Sequence, residues 1–210
     1  MREADVLPVQ DEEPAAGAAA RRPGRPRSER ADRAILDAAL DLFAESGAGG
    51  VCIEAVAARA GVGKATIYRR WPGKEDLLLD ALTTIKSPLP EPRGASVRED
   101  LLAMVRVMCT DAADPRWLSR YSLLLGEGAR YTKLMERYKA TVLEPRRQLI
   151  RSVLQRGTVT GELRPDIDID VAVAMLNGAV IVAGKHDAAA LTQDYADRVV
   201  DELLRGLTPR

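Results

Sequence analysis

The chain has 210 residues, 46% of them hydrophobic and 30% charged, and its 31 Lys and Arg balance 31 Asp and Glu to a formal net charge of zero. That length and apolar share are enough for one or two domains with a real core. Its two cysteines, Cys52 and Cys109, stand far apart with no second Cys or His at ligand spacing, which argues against a disulfide framework or a zinc site.

Zero net charge hides an asymmetry. Residues 1–20 are acidic and rich in Ala and Pro, whereas Arg21, Arg22, Arg25, Arg27 and Arg30 follow with only Glu29 against them. Residues 1–27 lack hydrophobic periodicity and are expected to form a disordered basic arm. Gly24-Arg25-Pro26 is reminiscent of an AT-hook core, in which Arg25 and Arg27 would enter a narrow minor groove; a passive basic tail is the alternative. Acidic residues interrupt any apolar signal region, so the expected location is the cytoplasm, nucleoid-associated when bound to DNA.

The first helix is predicted from residue 28 or 29 to 46, because Ile35, Leu36, Ala39, Leu42 and Phe43 fall at helical spacing before Gly47. Short helices follow over 53–61 and 64–70, and Trp71-Pro72-Gly73 resets the chain into a fourth, 74–85, with Glu75 and Asp76 in its first turn. Pro88, Pro90, Pro92 and Gly94 mark a linker. Beyond it, helices are predicted over 97–113, 115–125, 130–156, 168–184 and 192–206, with Pro145 kinking or dividing the third. Strand-like alternation is scarce, so the fold class is all-α. The apolar stretch of residues 171–184 falls short of the ~18 residues of a membrane span and is broken by Asn177, so no membrane partner is expected. It reads instead as a helix that must bury both sides, and Ala174 and Gly178 permit close approach of a second copy.

Residues 53–74 carry the most information. They read as a helix, the turn Gly61-Val62-Gly63, and a second helix bearing Lys64, Thr66, Tyr68, Arg69 and Arg70 with no acid, a pattern suited to the major groove. Ala57-Ala58-Arg59-Ala60-Gly61-Val62, Thr66-Ile67-Tyr68, Trp71 and Lys74-Glu75-Asp76-Leu77 closely resemble the amino-terminal domain of the TetR family of one-component repressors. A weaker likeness around residues 156–166 extends the resemblance toward the carboxy terminus. It implies a three-helix helix-turn-helix domain over residues 28–86 and a helical bundle for dimerisation and ligand binding over 95–210. It also implies that Lys64, Ala65, Thr66 and Arg69 or Arg70 face base edges while Tyr68 and Lys74 bind phosphate. The chemistry agrees: Thr offers a hydroxyl or methyl to a base, Arg pairs with a guanine edge, and Tyr or Lys positions the backbone. Ile67 and Trp71 read as core. Gly63 and Cys52 stand where relatives often have a Ser or Thr cap, a departure expected to weaken capping by about 0.5–1 kcal/mol.

The implied partners are a palindromic double-stranded operator, a second copy of the chain and a partly apolar small-molecule effector. The candidate effector residues are Met104, Met108, Trp117, Tyr121, Leu124, Met135, Tyr138 and Asn177, since Met and aromatic groups repack around an apolar guest while Tyr and Asn orient it; ordinary core is the alternative for each. A phosphate-binding loop at residues 61–66 is rejected because Ala58 and Ala65 replace its Gly and Ser or Thr. No catalytic constellation, cofactor or metal is expected: His186 is the one histidine, and Asp166, Asp168 and Asp170 read as capping residues. Two other readings remain open on these residues, a DNA-binding activator or architectural protein without ligand, and a helical-bundle enzyme or carrier.

Overall fold

The computed structural model describes residues 29–127 and 131–209, so the arm of residues 1–27, with Arg25 and Arg27, lies outside the described residues. The described elements are α1 (Glu29–Gly50), α2 (Ile53–Ala60), α3 (Lys64–Tyr68), α4 (Lys74–Thr83), α5 (Val97–Ala113), α6 (Pro115–Glu127), α7 (Thr132–Tyr138), α8 (Glu144–Thr160), α9 (Ile169–His186) and α10 (Gln193–Leu207). Among the described residues there is no strand.

In α1, Ile35, Ala39 and Phe43 are closed to solvent, the stripe expected of an amphipathic helix. Its regular geometry breaks at Gly47, φ 66°, as predicted, but helical backbone resumes as far as Gly50. The break tucks Ala48 and Val51 into the core. Against this stripe pack α2 and α4, the latter through Leu77, Leu78, Ala81 and Leu82.

Helix α5 is the axis of the carboxy-terminal bundle. It contacts α6, α8, α9 and α10, and buries Leu101, Met104, Val105, Met108 and Ala112. It approaches α8 so closely that a Cβ on Gly157 would stand 2.6 Å from a Val97 methyl, which leaves room for glycine alone.

The long helix expected over 130–156 is divided. Helix α7 ends at Tyr138, a π-turn spans Lys139–Leu143, and α8 starts with Pro145 in its first turn. Pro145 has no N–H for the Thr141 carbonyl, so the ladder widens ahead of it, and Glu144 N–H donates to Lys139 O instead.

One expectation needs correction. Helix α9 is 18 residues long with mean hydropathy 1.3, so by length and composition it could cross a membrane, unlike the shorter stretch counted in the sequence. Within one chain it is buried on one side. Ala172, Val173, Leu176, Val180 and Gly184 pack inward, while Val171, Ala174, Met175 and Val182 are exposed, because α5, α8 and α10 cover one face only.

Candidate nucleic-acid interface and effector region

The turn between α2 and α3 depends on Gly61, whose φ of 65° is open to glycine at no steric cost. Its N–H donates to Ala58 O at 3.3 Å and that of Val62 to Ala57 O at 3.0 Å, closing α2 so that α3 starts at once. Cys52 caps α2 after all: its Sγ accepts from Ala55 N–H at 3.4 Å, so sulfur replaces the hydroxyl whose loss was expected to weaken the cap. Gly63 gives α3 no side-chain cap, as expected.

Ile67 is fully buried and fixes the rotation of α3, leaving Lys64, Ala65, Tyr68 and Arg69 exposed and Thr66 half-buried. Tyr68 is 53% exposed, a large apolar ring held in solvent. Lys64 pairs loosely with Glu54 at 3.2 Å. The Glu54 backbone N–H and Lys64 together hold that carboxyl below its usual range.

Besides Lys64, two residues assigned to DNA from the sequence have internal partners. Arg70 pairs with Asp32 at the start of α1, its side chain only 10% exposed, so of the two arginines Arg69 is the one on the open face. Lys74 donates to Ala48 O at 3.1 Å. Its ammonium keeps two further N–H groups for a phosphate. Trp71 is buried, with Nε1 donating to Asp80 at 2.8 Å, which anchors α4 behind α3.

Two ion pairs join this unit to the bundle. Arg120 of α6 meets Asp41 of α1 at 2.8 Å, and Arg137 of α7 meets Asp76 of α4 at 2.9 Å.

Of the candidate effector residues, Met104, Met108, Trp117, Tyr121, Leu124, Met135 and Tyr138 are all buried. Trp117 and Tyr121 stack at 4.8 Å between centroids and 12° between planes. Asn177 turns away: its Nδ2 donates to Val173 O on its own helix at 2.8 Å, so that amide hydrogen is spent within α9. The sequence reading missed Lys86, whose Nζ lies 5.0 Å from the Trp117 ring and 4.9 Å from that of Tyr121. Burial, helped by the nearby Arg146 charge, lowers its pKa to about 8. No spacing signals this, because helices distant in sequence bury Lys86.

A separate apolar groove of about 370 Å³ runs between α9 and α10, lined by Met175, Ala179, Tyr195, Val199 and Leu203 among others.

Comparison with known proteins decides the family. The profile described as "Bacterial regulatory proteins, tetR family" matches residues 35–81, and "Tetracyclin repressor-like, C-terminal domain" matches residues 91–203. The HTH-type transcriptional regulator YdeS of Bacillus subtilis is 35% identical over 88% of this chain and 93% of its own length. The chain belongs to the TetR family. The DNA-binding transcriptional repressor TetR of Mycobacteroides abscessus is 29% identical over 85% of this chain and 94% of its own length. The structure of the fatty acid degradation regulator FadR of Bacillus halodurans superposes with a TM-score of 0.67, covers 89% of this chain and 100% of its own, and shares 24% identity, which speaks for the fold. The chain is therefore a DNA-binding transcriptional regulator with an amino-terminal helix-turn-helix, and TetR-family regulators are not enzymes.

Proposed function

We propose that this TetR-family protein is a repressor that binds a palindromic operator as a homodimer and is released by a small-molecule effector held among α5–α8. The observation that carries the reading is the single exposed face of α3, where Lys64, Ala65, Tyr68 and Arg69 project from a helix locked by the buried Ile67. Lys64, Ala65, Thr66 and Arg69 meet base edges; Tyr68 and the two spare N–H groups of Lys74 meet phosphates. Residues 28–86 act as the reader and 95–210 as the regulatory unit.

TetR-family regulators bind DNA and act as dimers. One short recognition helix reads few base pairs, so a two-fold pair is needed for a palindrome. The exposed Val171, Met175 and Val182 of α9, continuous with the groove along α10, supply an apolar surface for the second copy. Regulators of this family are cytoplasmic in general.

Two ion pairs support a route for release. Arg120 and Arg137 sit beside Tyr121 and Tyr138 in the effector region and pair with Asp41 and Asp76 of the reader, so a guest that displaces α6 or α7 acts on α1 and α4 directly. Only a ligand that prefers the DNA-incompetent arrangement can shift the balance.

The test is binding to duplexes from the DNA upstream of the protein's own gene. Steeply salt-dependent binding, preferring one duplex over scrambled sequence by about 10³-fold or more, supports an operator. Equal affinity for all duplexes would leave a sequence-blind architectural protein in its place.

A further inference from the structure

Inside the effector region, two buried polar groups stand without partners. Tyr138 Oη and Trp117 Nε1 are buried with no hydrogen-bond partner, and both side chains are more than nine-tenths closed to solvent. Lys86 adds a third donor group: among the described residues its ammonium meets the Trp117 and Tyr121 rings and no carboxylate at ion-pairing distance. The nearby acid, Asp111, is taken. Its oxygens accept from Ser87 N–H at 3.1 and 3.2 Å and from Ser87 Oγ at 2.6 Å, and Arg146 stands 3.6 Å away.

We propose that Lys86, Trp117 Nε1 and Tyr138 Oη form an acceptor-seeking clamp, and that the effector is a small organic carboxylate whose apolar body lies among Met104, Met108 and Met135. This deepens the effector-released reading and rests on it.

Three arguments support the carboxylate. A neutral acceptor, or a water molecule, satisfies Tyr138 and Trp117 but leaves a half-buried ammonium beside the Arg146 guanidinium with only the field of Asp111, an acid already bonded to Ser87, to offset it. A carboxylate supplies up to four acceptor positions and one negative charge, enough for all three donors. The walls suit its body, because methionine side chains repack with little loss and the stacked Trp117 and Tyr121 offer a flat apolar surface. The site also lies where it can act. Lys86 stands three residues beyond the end of α4, and its neighbour Ser87 is gripped by Asp111 of α5 and by Arg146 of α8, so a guest on Lys86 bears on the exit of the reader unit.

The experiment uses the full-length protein without DNA. Aryl and medium-chain alkyl carboxylates, such as benzoate, cinnamate and octanoate, are titrated beside their neutral amides, with calorimetry and tryptophan fluorescence as readouts. At least one acid is expected to bind with a change in Trp117 emission, and its amide to bind about tenfold more weakly or worse. Lys86→Met is expected to fold, since it removes an unpaired buried charge, and to lose the preference for acid over amide. Tyr138→Phe is expected to weaken the acid severalfold without restoring the amide. Equal binding of acid and amide to the wild type, an undiminished preference in Lys86→Met, or no binding by any acid in the panel would overturn the clamp. A separate operator-release assay tests the parent reading: acids that bind the clamp and leave the DNA complex intact sustain the clamp and defeat effector-driven release.

Discussion

Arg120 of α6, almost closed to solvent, holds the half-exposed Asp41 of α1 at 2.8 Å across the junction between the reader and the bundle. A buried guanidinium left without an acceptor is costly, so this pair ties α6 to α1. Asp41→Asn is expected to destabilise the protein by about 1–2 kcal/mol, less than for a fully buried pair because Asp41 is partly hydrated. It is also expected to change the effector concentration needed for operator release. Urea denaturation and release titrations check it; an unchanged release midpoint would remove the pair from the coupling route.

Between α3 and the start of α4, side-chain placement separates variants that change discrimination from those that change stability. Thr66→Ala and Arg69→Ala are expected to lose about 1–3 kcal/mol on operator and much less on scrambled duplex. Lys74→Ala should weaken both duplexes alike and lower the salt slope. Arg70→Ala behaves differently, because Arg70 pairs with Asp32: its loss appears first in thermal stability. Equal losses on both duplexes for Thr66→Ala and Arg69→Ala would defeat their assignment to base readout.

Met175 and Val182, 56% and 54% exposed on α9, are large apolar groups on a surface proposed to meet a second copy. Met175→Glu is expected to yield a folded monomer, since more than half of the side chain is open to solvent, and to lose most of its operator affinity. Sedimentation with circular dichroism checks both. A stable dimer in this variant would place the interface elsewhere.

The pKa of Lys86, lowered from its ordinary 10.5 to about 8, makes stability depend on pH. Between these values the unfolded chain binds a proton that the native chain does not, so this group's contribution to stability rises with pH and the burial penalty is fully present below about 8. Asp111 favours the charged form and Arg146 opposes it, while burial raises the Tyr121 and Tyr138 hydroxyls above their ordinary range. Lys86→Met is therefore expected to be more stable than wild type at about pH 7.5, with the gap narrowing toward about pH 9.5. A gap that stays constant in urea midpoints would show that Lys86 titrates normally.

Much of this is legible in the sequence. Helix positions announced themselves through local chemistry: Gly61 at a left-handed turn, Asp168 and Thr192 as side-chain caps, Pro115 opening α6. The face of α3 was equally legible, because a buried Ile67 and exposed Lys64, Tyr68 and Arg69 follow from helical spacing. What escaped depends on contacts between distant segments. Arg70 looks like a DNA ligand in sequence, yet Asp32 claims it once α1 folds back, and Ala48 O takes one of the three N–H groups of Lys74. Lys86 looks like a solvated linker residue until α5, α6 and α8 close around it. Asn177 had the right chemistry for a ligand, but a helical asparagine can turn its amide to the carbonyl four residues earlier.

The Pro-rich stretch after α4 is pinned at both ends. Asp111 holds Ser87, and Leu89 is buried. At the far end Asp100 accepts from Arg93 N–H at 2.7 Å and Gly94 N–H at 3.0 Å, and meets Arg156 at 2.8 Å. Burial works against the Asp100 charge, but these donors outweigh it and keep its carboxyl below the usual range. A segment so fastened is an axle and not a tether. In the proposed dimer the reading heads would then have no slack with which to accommodate half-sites of different separation, and the spacing they accept would be dictated by the angle at which two copies meet. Mutations that alter operator geometry belong in the contact between subunits, and lengthening the proline segment would uncouple the heads without retuning them.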